Sequence, residues 1–184
     1  MTRAVTWQGV EEWLAEHAQV ELTDNGIAAT GVQLGAEPES YRADYRLDAP
    51  IDWVTRRLEV EVSGAGWRRR LLLEHDGAGA WTIDGEAARP LDGALDCDLA
   101  FSPLTNLMPV RRSGLHVAAG AEDFAMAWVS VPDLAVHRSP QRYEHVRPGV
   151  VRFISLDDDF TADLELDADG LVVRYPRLAE RVAG

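Results

Sequence analysis

Phe160-Thr-Ala-Asp-Leu-Glu-Leu-Asp-Ala-Asp-Gly-Leu-Val-Val-Arg-Tyr175 decides the fold class. Side chains alternate across an extended chain, so Phe160, Ala162, Leu164 and Leu166 share one face while Thr161, Asp163, Glu165 and Asp167 share the other. Asp169-Gly170 supplies a tight turn, after which Leu171, Val173 and Tyr175 resume the apolar face. This is the pattern of an antiparallel sheet with one wet side.

The same pattern recurs outward along the chain. Tyr41, Ala43, Tyr45 and Leu47 alternate with Arg42, Asp44, Arg46 and Asp48. Asn25-Gly26, Asp76-Gly77, Asp84-Gly85 and Asp92-Gly93 are further hairpin-turn dipeptides, with Gly64-Ala65-Gly66 beside them. Phe124 to Val131 is apolar on both faces, which predicts a central strand covered on both sides. Some ten or eleven strand candidates emerge at this spacing.

Helical spacing is scarce. Val10, Trp13, Leu14 and His17 predict one helix over Gln8 to Gln19. A short one near Leu104 to Arg112 is limited by Pro103 and Pro109. Two helices cannot cover so many one-sided strands, so the sheet must cover itself. The predicted fold is mainly β: a single domain over 1–184, its large curved antiparallel sheet forming a half-barrel or barrel-like structure with one or two short helices. Such a sheet can enclose a cavity.

The 184 residues suit one domain, as single β barrels and sandwiches run to roughly 200. The net charge is −13, and all 18 basic residues are arginine. That balance argues against nucleic acid and anionic membrane surfaces as partners. Without lysine there is no Schiff base and no phosphate-loop lysine. Cys97 is the only cysteine, so no internal disulfide forms. Met1 to Trp7 lacks the apolar stretch of a secretory signal, and no segment approaches the ~18 apolar residues of a membrane span. A cytoplasmic protein without stable membrane insertion is expected. The oligomeric state is not legible.

Leu91-Asp-Gly-Ala-Leu-Asp-Cys-Asp-Leu99 followed by Ser102-Pro-Leu-Thr-Asn-Leu-Met-Pro-Val-Arg-Arg112 resembles the signature of the putative glycolipid-binding family of bacteria. Trp53-Val-Thr-Arg56, Trp81-Thr-Ile-Asp-Gly85, Gln141-Arg-Tyr143 and Asp169-Gly-Leu-Val-Val-Arg-Tyr-Pro176 extend the likeness over nearly the whole chain. Ala94, Ser102 and Leu104 depart from the usual Cys, Thr and aromatic residue. The resemblance implies a fold like that of lipoprotein carriers and a glycolipid-like ligand.

Several constellations bear on function. Arg56 shares the face of Val54, Leu58, Val60 and Val62, and an arginine facing a core must pair or meet a polar cavity. It either pairs with a buried carboxylate that sets strand register or aims at a sugar or acid group. Asp96 and Asp98 share a strand face; they pair with Arg56, Arg111 or Arg112, or act as an acid/base pair. Asn106 with Arg111 and Arg112 can close turns or grip hydroxyls. Arg68 to Arg70 suit a solvated, protected edge. The five histidines lack metal spacing, with His137 and His145 reading as polar surface, and no nucleophile elbow is present.

Together these predict a non-catalytic binding or carrier protein whose amphipathic, glycolipid-like small-molecule ligand lies in an apolar sheet cavity. The candidate ligand-binding set is Arg56, Trp81, Asp96, Asp98, Asn106, Arg111, Arg112, Gln141 and Tyr143, with no catalytic residue, metal or cofactor. The alternatives are a hydrolase or isomerase using Asp96 and Asp98 with an arginine, and a partner-binding β scaffold.

Overall fold

The alternation of Tyr41 to Ala49 is carried into the structure without a slip: Tyr41, Ala43, Tyr45, Leu47 and Ala49 are buried and the residues between them are not. The computed structural model describes all 184 residues. Eight strands run first, β1 Thr2–Gly9, β2 Leu14–Leu22, β3 Ile27–Gly35, β4 Tyr41–Ala49, β5 Arg57–Gly64, β6 Trp67–His75, β7 Trp81–Ile83 and β8 Glu86–Ala87. After β9 Asp96–Leu99 come a 3₁₀ turn, Pro103–Asn106, and the helix α1 Leu107–Ser113. The chain ends with β10 Ala121–Val129, β11 Val136–Arg147, β12 Val150–Ser155, β13 Thr161–Leu166, β14 Val172–Tyr175 and β15 Ala179–Ala183.

All fifteen strands form one sheet in the order β8-β7-β6-β5-β4-β3-β2-β1-β15-β14-β13-β12-β11-β10-β9. Neighbours are antiparallel except β9 and β10, which are parallel. The sheet is mainly β, curved and unclosed, as expected of a half-barrel. Its two edges, β8 and β9, are joined by only a short stretch of chain, so the curl brings them near each other. The seam is closed by turn and side-chain bonds instead of a ladder. Thr55 N–H donates to Leu95 O at 3.0 Å, Gly93 N–H to Gly79 O at 2.8 Å, and the Trp81 indole to Ala94 O at 2.8 Å.

Several expectations are corrected. No helix spans Gln8 to Gln19. β1 ends at Gly9 and β2 starts at Leu14, with Leu14, Glu16, Ala18, Val20 and Leu22 all buried. Glu16 on that inner face hides the period of two and leaves a false helical spacing. Asp92-Gly93 lies in the link between the sheet edges, whereas Asp84-Gly85 makes the expected tight hairpin. Both of its residues have positive φ (50° and 85°), the mirror-image turn that matches strand twist. The Phe124 strand sits one place in from an edge and is not central. At the β13–β14 hairpin a register shift between Glu165 and Leu166 buries both Leu171 and Val172, and Val173 is left half-buried.

The inner face holds two cores. The larger joins β1 to β6 with Leu104, Leu107 and Met108; the smaller joins β10 to β14 with Val110 and Leu115. Helix α1 therefore plugs the half-barrel, Leu107 and Met108 facing one half and Val110 the other. Gly114 ends it in the left-handed conformation (φ 70°). Each fully buried leucine contributes about 1.5–3 kcal/mol. The outer face carries Arg–carboxylate pairs such as Arg42–Asp44, Arg46–Asp48 and Arg70–Glu59. These are exposed and worth little individually.

Candidate functional site

β9 is the strand from which the site grows. It is pinned on one face by Thr55, whose hydroxyl accepts from Cys97 N–H at 3.1 Å. Its other face presents Asp96 and Asp98, as the spacing of two requires. Asp96 is fully buried in a two-pronged bond from Arg112, 2.6 and 2.5 Å long. Burial raises its pKa while Arg112 opposes the rise. Of the expected arginine partners, Arg112 is the one that meets it. Arg111 lies over the Trp53 ring at 4.6 Å and donates to Asp169 O at 2.9 Å.

Asp98 has no cationic partner. Its Oδ1 accepts from Thr105 Oγ1 at 2.8 Å and its Oδ2 from Gln141 Nε2 at 2.7 Å. Burial again raises the pKa, with Gln141 and Thr105 pulling the other way. Behind it, Tyr143 Oη donates to Asn106 Oδ1 at 2.9 Å, and Asn106 Nδ2 donates to Pro103 O at 3.2 Å. Alternation on β11 places Ser139, Gln141 and Tyr143 on one inward face, and all three are buried.

These groups flank a cavity of about 530 Å³ between the 3₁₀ turn and β9 to β12. Its polar lining includes Asp98, Ser102, Asn106, His137, Ser139 and Gln141, with Ser155, Asp157 and Asp158 at the β12 end. Its apolar lining is largely aromatic: Phe101, Trp128, Phe153, Phe160 and Tyr175. Phe153, Phe160 and Tyr175 form a mutual cluster with centroids 6.0 to 6.2 Å apart, and Trp128 packs on His137 at 4.6 Å. Phe101, Phe160 and Leu178 also line an adjoining cleft of about 130 Å³ that reaches Leu14. Beyond Leu14 a surface depression carries the exposed Val10, Trp13 and Val182.

Of the nine candidate residues, Asp98, Asn106 and Gln141 line this cavity and Tyr143 backs it. Asp96 and Arg112 form the neighbouring ion pair. Arg56 and Trp81 lie elsewhere, along the seam between the sheet edges, and Arg111 lies between the Trp53 ring and the Asp169 turn. Trp81 stacks on His75 at 4.6 Å, and His75 Nδ1 is 2.8 Å from Thr55 O. Arg56 does not share the inner face of β5. The strand begins only at Arg57, and the buried positions change phase across Arg56 and Arg57, so Thr55 is fully buried and Arg56 only partly so. No carboxylate pairs with Arg56; its guanidinium lies against Gly77, where an added Cβ would fall 1.7 Å from Nη1. The W-x-T-R and W-x-x-D-G segments thus help to close the seam.

The aromatic wall and His137, Ser139 and Ser155 escaped the sequence reading. Ser139 was findable: it alternates in register with Gln141 and Tyr143. The aromatics were not, since inward Phe and Tyr residues read as ordinary core. Groups of acidic residues, histidine and cysteine arranged to hold a metal ion are absent. No helix is long and apolar enough to cross a membrane.

A crystal structure of a DUF1089 family protein from Pseudomonas aeruginosa, at 1.80 Å resolution, is similar throughout. The TM-score is 0.80 at 29% identity, covering 96% of this chain and 95% of that one. No curated protein matches the chain. The family model described as putative glycolipid-binding matches residues 4–181, and the chain belongs to that family.

Proposed function

We propose that the protein is a non-catalytic binding or carrier protein for an amphipathic, glycolipid-like molecule. The headgroup occupies the cavity beside Asp98, Asn106 and Gln141. The alkyl part follows Phe101, Phe160 and Leu178 toward Leu14. The observation that carries this reading is the cavity's mixed wall, in which a few inward polar side chains face flat aromatic rings. Aromatic faces suit the apolar face of a sugar ring, and fixed polar groups set its orientation. The family description points the same way. The interior of the sheet is filled by two cores and α1, so the site is not the apolar cavity within the sheet that the sequence led us to expect. It sits at one end of the half-barrel.

A hydrolytic reading rests on Asp98 alone, because Asp96 is buried against Arg112 and does not line the cavity. The partner-binding reading draws on the exposed Val10, Trp13 and Val182. Native mass spectrometry after incubation with a series of alkyl glycosides tests the proposal. Stoichiometric adducts that are lost on Gln141→Ala support it. Failure of every glycoside to bind overturns it.

A further inference from the structure

The cavity wall is unusual in what it lacks. The chain has 18 arginines, yet the only charged side chains lining the cavity are the carboxylates of Asp98, Asp157 and Asp158. The arginines nearby are engaged elsewhere: Arg112 with Asp96, Arg177 with Glu11, and Arg142 with Asp123 and Glu144. An anionic headgroup would meet like charge without a counter-charge, at a site where a partly buried position limits screening.

The hydrogen-bonding capacity leans the same way. The Thr105 hydroxyl and the Gln141 amide donate to Asp98, Ser102 Oγ to Glu16 at 2.7 Å, and Ser155 Oγ to Asp157 at 2.8 Å. Tyr143 Oη and Asn106 Nδ2 also donate within the protein. These donors are thus used internally, leaving the Ser139 hydroxyl and the His137 ring on the wall, while lone-pair sites on Asp98 also remain. A carboxylate offers about four lone-pair sites, and Asp98 fills two of them. A charged group in this position favours a ligand that brings the missing donor and the missing positive charge.

We propose that the headgroup bound here is a donor-rich sugar or polyol bearing an ammonium group, held by Asp98, and that phosphorylated headgroups are rejected. This rests on the cavity being the headgroup site. It follows from the acceptor-rich, exclusively acidic charge of the lining, and the aromatic wall then takes the sugar face opposite the amine.

Isothermal titration with three octyl ligands of equal chain length tests the inference: an octyl glucoside, an octyl glucosaminide and an octyl glucoside phosphate, each kept below its micelle concentration. The glucosaminide should bind at least about tenfold more tightly than the phosphate, with the neutral glucoside between them. Asp98→Asn should erase the preference for the amine over the neutral sugar. A melting curve checks that the variant is folded. If it is not, the ranking of the three ligands on the wild-type protein decides the inference. Equal affinity for amine and neutral sugar, or phosphate binding as tight as either, overturns the inference but leaves the binding function standing. Absence of binding by all three overturns both.

Discussion

The hydroxyl of Ser102, on the cavity wall, donates a 2.7 Å hydrogen bond to the buried carboxyl of Glu16. The same Oε1 accepts from Tyr45 Oη at 2.5 Å. Glu16 and Gln33 are direct cross-strand partners on β2 and β3, and Glu16 Oε2 and Gln33 Oε1 are both buried without a hydrogen-bond partner. A proton on Glu16 turns one of these acceptors into a donor for the other. Burial pushes the Glu16 pKa up to about 7, against the pull of Tyr45, Ser102 and Gln33.

That shift makes stability pH-dependent. The folded-state pKa lies above the ordinary 4.5, so the folded protein holds more protons between the two values. The contribution is complete below about 4.5, declines as pH rises, and is lost above about 7. At about 1.4 kcal/mol per pKa unit it amounts to roughly 3 kcal/mol. His75 and His116, whose pKa values are lowered chiefly by burial, slope the opposite way. Glu16→Gln mimics the protonated acid and keeps both histidines. Urea unfolding should therefore show the variant gaining stability relative to wild type as pH rises from about 4.5 to about 7. Parallel curves for the two proteins would refute a protonated Glu16.

Arg112→Met leaves Asp96 buried and unpaired, which costs about 3–5 kcal/mol. Arg112→Lys should recover only part of this loss, because an ammonium cannot reproduce the two-pronged bond. Adding Asp96→Asn to Arg112→Met should return much of the stability. A double-mutant cycle by denaturant titration measures the coupling, and simple additivity would show that the pair does not act as a unit.

Gly77 has φ 86° and lies under the Arg56 guanidinium. Gly77→Ala therefore carries both backbone strain and a clash, and should lower stability by about 1 kcal/mol or more. Combining it with Arg56→Ala should relieve the clash and leave the strain. Thermal melts of the three variants separate the two contributions.

Cys97 is fully buried, and burial pushes its thiol up to about 12. A thiol reagent should leave the native protein untouched at pH 8 and label it stoichiometrically in denaturant, since the thiolate is the reactive form. Rapid native labelling would show that the seam at β9 opens readily.

Phe160 is only partly buried and lines both the cavity and the adjoining cleft. Phe160→Ala should weaken alkyl glycoside binding by about 0.5–1.5 kcal/mol, or roughly two- to tenfold, with little effect on the melting temperature. Calorimetric titration over several chain lengths should show a shallower dependence on length in the variant.

Arg56 and Asp98 show how far the residues alone could be read. Simple alternation put Arg56 inside, but the strand it was counted on begins one residue later, and the buried positions pass from Trp53 and Thr55 to Leu58, Val60 and Val62 across Arg56 and Arg57. At this change Thr55 N–H donates to Leu95 O, and Arg56 bonds through its backbone to Asp48 and His75, segments that local alternation does not see. Asp96 and Asp98 were correctly paired on one face, and period two guarantees that much. Their different fates could not be read, because Arg112 and Gln141 reach them from other elements.

The chain by itself determined a one-sided antiparallel sheet, its hairpin turns and its excess of acid, because side-chain alternation and turn dipeptides act over a few residues. The tertiary structure alone decided that the sheet curls until β8 and β9 are held across a seam, that α1 fills its hollow, and that a cavity remains beside Asp98. Curvature, filling and the partner of each buried charge depend on contacts between residues tens of positions apart, and no local pattern encodes those. Glu16 marks the boundary: a polar residue in an apolar register misled the local reading, and burial in the assembled sheet raises its pKa to about 7.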